Sequence, residues 1–149
     1  MFPNAKGSEE LSILATIDPS SQAVGTLTTN WISVGNFHAF IASVESGVLG
    51  ASATLDAKLQ QALDNAGTSA KDITGKAITQ LTQAGGGSSK QVLLNVKPEE
   101  LDTVNGFGFI RLSLTVGVAA SLTAAQLLGV NPRYATADAF NQAAVAQII

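Results

Sequence analysis

The stretch that most constrains this chain is Phe107 to Val116, Phe-Gly-Phe-Ile-Arg-Leu-Ser-Leu-Thr-Val. Ile110, Leu112, Leu114 and Val116 share one parity; Phe109, Arg111, Ser113 and Thr115 share the other. A side-chain period of two buries one face only when the backbone is a strand. Asn105-Gly106 stands just before it, a dipeptide suited to the left-handed conformations of a tight turn. A second alternation runs from Ser52 to Gln60. Ala53, Leu55, Ala57 and Leu59 oppose Thr54, Asp56, Lys58 and Gln60. That pattern marks a half-buried antiparallel strand. Its competitor is a helix from about 53 to 64, because Ala, Leu, Lys and Gln are good helix formers. The strict alternation, and the loop signal Asp64-Asn65-Ala66-Gly67-Thr68 behind it, favour the strand.

The remaining segments read the same way. Leu11 to Ile17 is an apolar run stopped by the turn cluster Asp18-Pro19-Ser20-Ser21. Val24 to Val34 is rich in β-formers. Phe37 to Val44 alternates and is expected to be covered on both sides. Lys71 to Gly75 reads as loop, Lys76 to Thr82 as a strand, and Gly85-Gly86-Gly87-Ser88-Ser89 as a flexible surface connection. Gln91 to Val96 is a compact apolar strand. Pro98 to Asp102 is one helical turn, with proline first and acids at its positive end. Ser121 to Val130 reads as a strand, with a helix as its alternative. As a strand it is expected to pair with residues 107–116 through the short link Gly117 to Ala120. Ala135 to Ile149 carries a weak apolar stripe at helical spacing.

Some eight short strands punctuated by turns predict a mainly β chain, an antiparallel β-sandwich or jelly-roll-like barrel. Flexible N- and C-terminal arms flank it. The expected division is an N-terminal arm over 1–10, a β-sandwich over 11–134 and a C-terminal arm over 135–149. A chain of 149 residues suits one domain with a real core.

Charge narrows the functions. Only 13% of residues are charged, about half the usual share. So neutral a surface suits packing against copies of itself or a large partner, or simply a bland soluble domain. The net charge is −3, without any basic run, so neither nucleic acid nor an anionic membrane is an expected partner. No apolar run reaches 18 residues. The first ten residues lack the basic region and apolar core of a signal peptide, so synthesis in a cytosol is expected. There are no cysteines, which removes disulfides, thiolate metal sites and a cysteine nucleophile.

No catalytic constellation stands out, and the expectation is a protein that is not an enzyme, with no cofactor and no metal. His38, the single histidine, lies in an apolar strand without converging partners and reads as structural. Glu99, Glu100 and Asp102 diverge around a turn and read as a helix start rather than a carboxylate pair. The glycine run ending in Lys90 lacks the spacing of a phosphate loop. Trp31 and Tyr134 could stack on sugars, but such residues are more often sandwich-core or rim aromatics. Arg111 is the one charge inside the long strand. It is either a plain surface residue or a group that crosses to a neighbour's carboxylate.

Three segments together carry a resemblance. They are Ala53-Thr54-Leu55-Asp56-Ala57-Lys58-Leu59-Gln60-Gln61-Ala62 with Gly67-Thr68-Ser69-Ala70-Lys71-Asp72-Ile73; Phe109-Ile110-Arg111-Leu112-Ser113-Leu114-Thr115-Val116-Gly117; and Ala125-Gln126-Leu127-Leu128-Gly129-Val130-Asn131-Pro132-Arg133-Tyr134. This order resembles small structural proteins encoded among the head and tail genes of tailed bacteriophages and prophages, over about residues 50–134. The resemblance implies a virion component made in the cytoplasm of a host bacterium. The role it implies first is a capsid decoration (cement) protein, a homotrimer bound to the major capsid protein. Arg111, Arg133 and Tyr134 are the residues expected at contacts between subunits. A neck or tail connector, or a tail subunit, is the alternative in the same setting. A carbohydrate-binding β-sandwich module is the alternative in a different class.

Overall fold

The computed structural model describes residues 3–149. Among the described residues, ten strands form two antiparallel sheets packed face to face, the β-sandwich that the alternations predict. One sheet holds four strands in the order β1 (Leu11–Gln22), β10 (Ser121–Pro132), β4 (Phe37–Ser46), β8 (Gln91–Val96). The other is built on β9 (Phe109–Gly117) and β5 (Thr54–Ala62), paired along their whole length. Its edges are β2 (Gly25–Thr28) with β3 (Ile32–Ser33) on one side, and β6 (Lys71–Ala77) with β7 (Leu81–Thr82) on the other.

The long alternation supplies the centre. Ile110, Leu112, Leu114 and Val116 are wholly buried, as are Leu55 and Leu59 on the neighbouring strand. They face Phe40, Ala42, Val44, Leu94, Val96, Ala125 and Leu127 of the other sheet. A fully buried Leu or Ile contributes about 1.5–3 kcal/mol. Slipping β9 by one residue would turn all four of its core side chains to the outside, so the register is tightly fixed. The strand reading of 52–60 holds, with β5 running from Thr54 to Ala62.

Several local expectations are corrected. Asp18-Pro19-Ser20-Ser21 does not end β1. The strand runs through it with a register shift between Ile17 and Ser20, a bulge on an edge strand where proline's missing N–H costs no ladder bond. Lys71 to Gly75 is not loop but most of β6, anchored by buried Ile73. The expected strand 76–82 is split between the end of β6 and the two-residue β7. Gly85 to Ser89 is tightly held. The Gly87 N–H donates to Thr82 O, the Ser46 hydroxyl donates to Gly87 O, and the Leu49 N–H donates to the Ser88 hydroxyl.

The expected hairpin between residues 107–116 and 121–130 does not form. β10 lies in the other sheet, between β1 and β4. Gly117 to Ala120 therefore crosses the end of the sandwich, with Val118 in the left-handed region at φ +69°. The buried face of β9 is Ile110, Leu112, Leu114 and Val116, whereas that of β10 is the small-residue set Ser121, Thr123, Ala125, Leu127 and Gly129. Crossing over sets large side chains against small ones across the core, whereas a hairpin would have placed the two strands side by side in one sheet.

The C-terminal stripe is not a helix beyond the short 3-10 turn Ala137–Phe140. Ala137 is wholly buried and Phe140 packs on Phe37. The Asn141 carboxamide oxygen accepts from the Ile13 N–H at 2.8 Å and from the Ser12 hydroxyl at 3.1 Å. The Gln142 N–H donates to Ile13 O. Residues 137–142, placed by the sequence in an arm, are thus part of the folded body. Of the N-terminal arm, Gly7–Glu10 forms a single helical turn beside this segment.

Candidate functional site

The outer faces of the two sheets differ, and the strand pairing order sets the difference. On the four-stranded sheet, the residues opposite in parity to the core fall into cross-strand rows. One row is Leu11, Val130 and Ala39. The next is Ile13, Leu128, Ile41 and Asn95. The third is Thr16, Gln126, Ser43 and Leu93. Leu11 is 38% exposed and Leu93 62%, while Ile13, Ile41, Leu128 and Val130 are half-buried. Among the described residues, Glu45 is the one charged side chain in the paired rows of this face. A shallow groove of about 280 Å³ crosses it, bordered by Thr16, Pro19, Ser43 and Gln126 and by two carboxylates, Asp18 and Glu45.

The six-stranded sheet carries the charge. Lys58 pairs with Asp72 at 2.8 Å, Lys71 with Asp102, and Lys76 with Glu100 at 2.8 Å. Each of these pairs uses a residue of β5 or β6. Gln60 adds a hydrogen bond to Asp72, and Gln80 one to Asp56. Thr26 and Thr115 join their hydroxyls at 2.9 Å.

On this polar face Arg111 has its own partners. Its guanidinium carbon lies 4.5 Å from the centroid of the Trp31 ring, and its Nε donates to Gln60 Oε1 at 2.9 Å. The loop Asp64–Thr68 closes over the indole. A Cβ on Gly67 would sit 2.4 Å from Trp31 Nε1, and Gly67 has φ +83°. Asp64 ties the loop by accepting from the N–H groups of Ala66 and Thr68 and from the Thr68 hydroxyl.

Arg133 lies elsewhere, at the end of β10. Its N–H donates to Asn36 O, its Nε donates to Phe37 O at 3.1 Å, and with the 80% exposed Tyr134 it borders a shallow cleft beside Asn4, Ala5 and Glu9. Arg111 and Arg133 thus belong to different sheets. Trp31 and Tyr134 form no ring pair among the described residues. His38, read from sequence as an apolar-strand histidine, is exposed at the start of β4, next to buried Phe37.

The shifted carboxylates all move one way. A hydrogen bond from the Lys58 ammonium, then one from Gln60, holds Asp72 below the usual carboxylate range. Lys71 and then Asn105 do the same for Asp102, Lys76 and then the Lys97 N–H for Glu100, and Thr68 for Asp64. A carboxyl acting as general acid is instead pushed up. No group of three or more side chains that could hold a metal ion occurs among the described residues. Sequence reasoning missed the apolar outer face, because its residues come from four strands and only the pairing order sets them side by side.

No protein-family model matches the chain, and no curated protein matches it in sequence. It is similar to chains of several solved structures. A chain of Triatoma virus covers 87% of this chain and 69% of its own length, at 10% identity and a TM-score of 0.47. A chain of the cowpea mosaic virus empty virus-like particle covers 87% of both, at 9% identity and a TM-score of 0.42. The xylan-binding module CBM15 covers 85% of this chain and 94% of its own, at 10% identity and a TM-score of 0.36.

Proposed function

We propose that this protein is a non-enzymatic structural component of a virion, a capsid decoration (cement) protein. In this reading, the outer face of its four-stranded sheet lies on the major capsid protein. The observation that carries the reading is the division of charge between the two sheets. The paired rows of one outer face are broad and largely apolar, with the Lys76–Glu100 pair only at their β8 rim, while Lys58–Asp72 and the polar pairs of β5 lie on the other face. A contiguous apolar face on a soluble domain marks a contact surface. Many copies bound together need bury only modest area each. The test is co-sedimentation of the purified chain with empty capsids. Ile41→Lys and Leu128→Lys should each abolish binding while the fold persists. Binding that survives both would defeat this reading. Copy number separates the settings: many copies per particle fit a cement protein, whereas a single ring per particle fits a neck or tail connector.

A second reading rests on Trp31. An indole on a polar sheet face, beside the Arg111 fork and the Gln60 amide, is a composition that stacks on and hydrogen-bonds a sugar ring. Xylan and other oligosaccharides titrated against the fluorescence of this single tryptophan test it.

A further inference from the structure

The geometry points to a head-to-tail assembly in which residues 143–149 of one copy add a strand to the free edge of β8 in the next. β8 is hydrogen-bonded on one side only, to β4. Its sequence, Gln-Val-Leu-Leu-Asn-Val, has no charge, no proline and no bulge, and Leu93 stands 62% exposed. Charge and proline stand only at its ends, at Lys90 and at Lys97-Pro98, and residues 75–78 pack beside it without a ladder hydrogen bond, so the edge between them is free to pair. At the other end of the molecule, Ala143-Ala144-Val145-Ala146-Gln147-Ile148-Ile149 is an uncharged apolar segment that exposes Ile148 and Ile149. Its one hydrogen bond to the described chain is from the Val145 N–H to Gln142 O. A free edge and an apolar segment with no strand partner thus occur in one chain.

The segment cannot serve its own edge. Asn141 and Gln142 are fixed to Ile13 of β1, and β1 is the opposite edge of the same sheet. From outside β1 to outside β8 is five strand spacings, about 24 Å. Seven extended residues span about 25 Å at most. The crossing would consume the whole segment and leave nothing to run along β8. A two-fold pairing of β8 with its own copy is also disfavoured, because full antiparallel overlap sets Lys90 opposite Lys97 at both ends. The uncharged segment meets no such repulsion. Donor and acceptor lie on opposite edges, so the contact is heterologous and either closes into a ring or continues as a filament. The inference is independent of any capsid.

The chain has no cysteine, so introduced thiols report cleanly. Leu93→Cys and Ile148→Cys proteins, prepared separately, mixed and oxidised, should give a disulfide-linked pair. Each protein alone should give several-fold less. Deleting residues 143–149 should reduce the mass seen by light scattering to one chain while leaving the melting temperature in place. Three results would each overturn the inference: a full chain that is monomeric at every concentration, a deletion variant with unchanged mass, or Leu93→Cys linking to itself as well as it links to Ile148→Cys. The mixed cross-link decides the matter even if the deletion variant fails to fold.

Discussion

Phe140 sets the edge of its ring against Phe37, with centroids 5.4 Å apart and planes at 71°. Phe37 meets Phe40 in the same way at 5.9 Å and 73°. The three rings close one end of the sandwich, and they bind the segment after β10 into the body. Phe140→Ala should therefore cost about 2 kcal/mol, below the roughly 3–5 kcal/mol of a fully buried aromatic truncation because Phe140 is only partly buried. Chemical denaturation reads it. Removing 137–149 should lower stability sharply, whereas removing 143–149 should not. Equal stability of the two truncations would contradict the docking of 137–142.

The Phe37 ring has room only because position 129 has no side chain. A Cβ there would lie 2.6 Å from the ring. Gly129→Ala should destabilise by about 1–3 kcal/mol, the usual range for overpacking. In a Phe37→Leu background the same change should cost clearly less, since the clashing ring is gone. An additive double mutant would show that the strain lies elsewhere.

Leu112 and Thr115 sit on opposite faces of β9. Leu112 is wholly buried, and Leu112→Asp should prevent folding because an unpaired charge enters the core. Thr115→Lys should be tolerated, for Thr115 is on the outer face directly opposite Asp56. Thr115→Asp would set two carboxylates in one cross-strand pair and should fall between them. Circular dichroism melts rank the three. If Leu112→Asp and Thr115→Lys melt alike, the register is wrong.

What the sequence made legible tracks how local the physics is. β9 and β5 could be read because one face of each is filled by the same few residues at period two. The turn Pro98–Glu100 could be read because proline and acids belong at such a start. The partner of β10 could not. Alternation tells which side chains point inward, but it is silent on which sheet a strand joins, and the Gly117–Ala120 link is short enough to suggest a hairpin. β6 was hidden because Ile73 is its sole fully buried residue. The site behaved likewise. Arg111 stood out as a lone charge in a strand, yet its partners Trp31 and Gln60 are 80 and 51 positions away. The apolar outer face had no sequence signature at all.

Acid should weaken the fold in a definite direction. Asp64, Asp72, Glu100 and Asp102 are all held below their unfolded values, so the folded chain binds fewer protons than the unfolded one as the pH falls. Their contribution is complete at neutral pH and is lost as the pH drops from about 4 through the folded values. The groups are largely exposed, so each effect is small and screened by salt. The melting temperature should be flat from pH 7 to 5, then decline. Asp72→Asn should flatten part of that decline, and an unchanged profile in this variant would remove Asp72 from the account.

Trp31 reports its own surroundings, since it is the one tryptophan. Arg111 lies beside its ring and Gly67 against its edge. Gly67→Ala adds a methyl group 2.4 Å from the indole nitrogen and forces an alanine into φ +83°, so the ring must leave its seat or the loop must open. Emission should shift to longer wavelength as the indole gains water. Arg111→Leu should change the spectrum less, because an apolar stem still lies beside the ring, and should cost about 0.5–1 kcal/mol of cation–π attraction. A Gly67→Ala protein with the parent's emission would mean that the loop, and not the ring, gives way, and Asp64 would then be the residue that holds Trp31 in place.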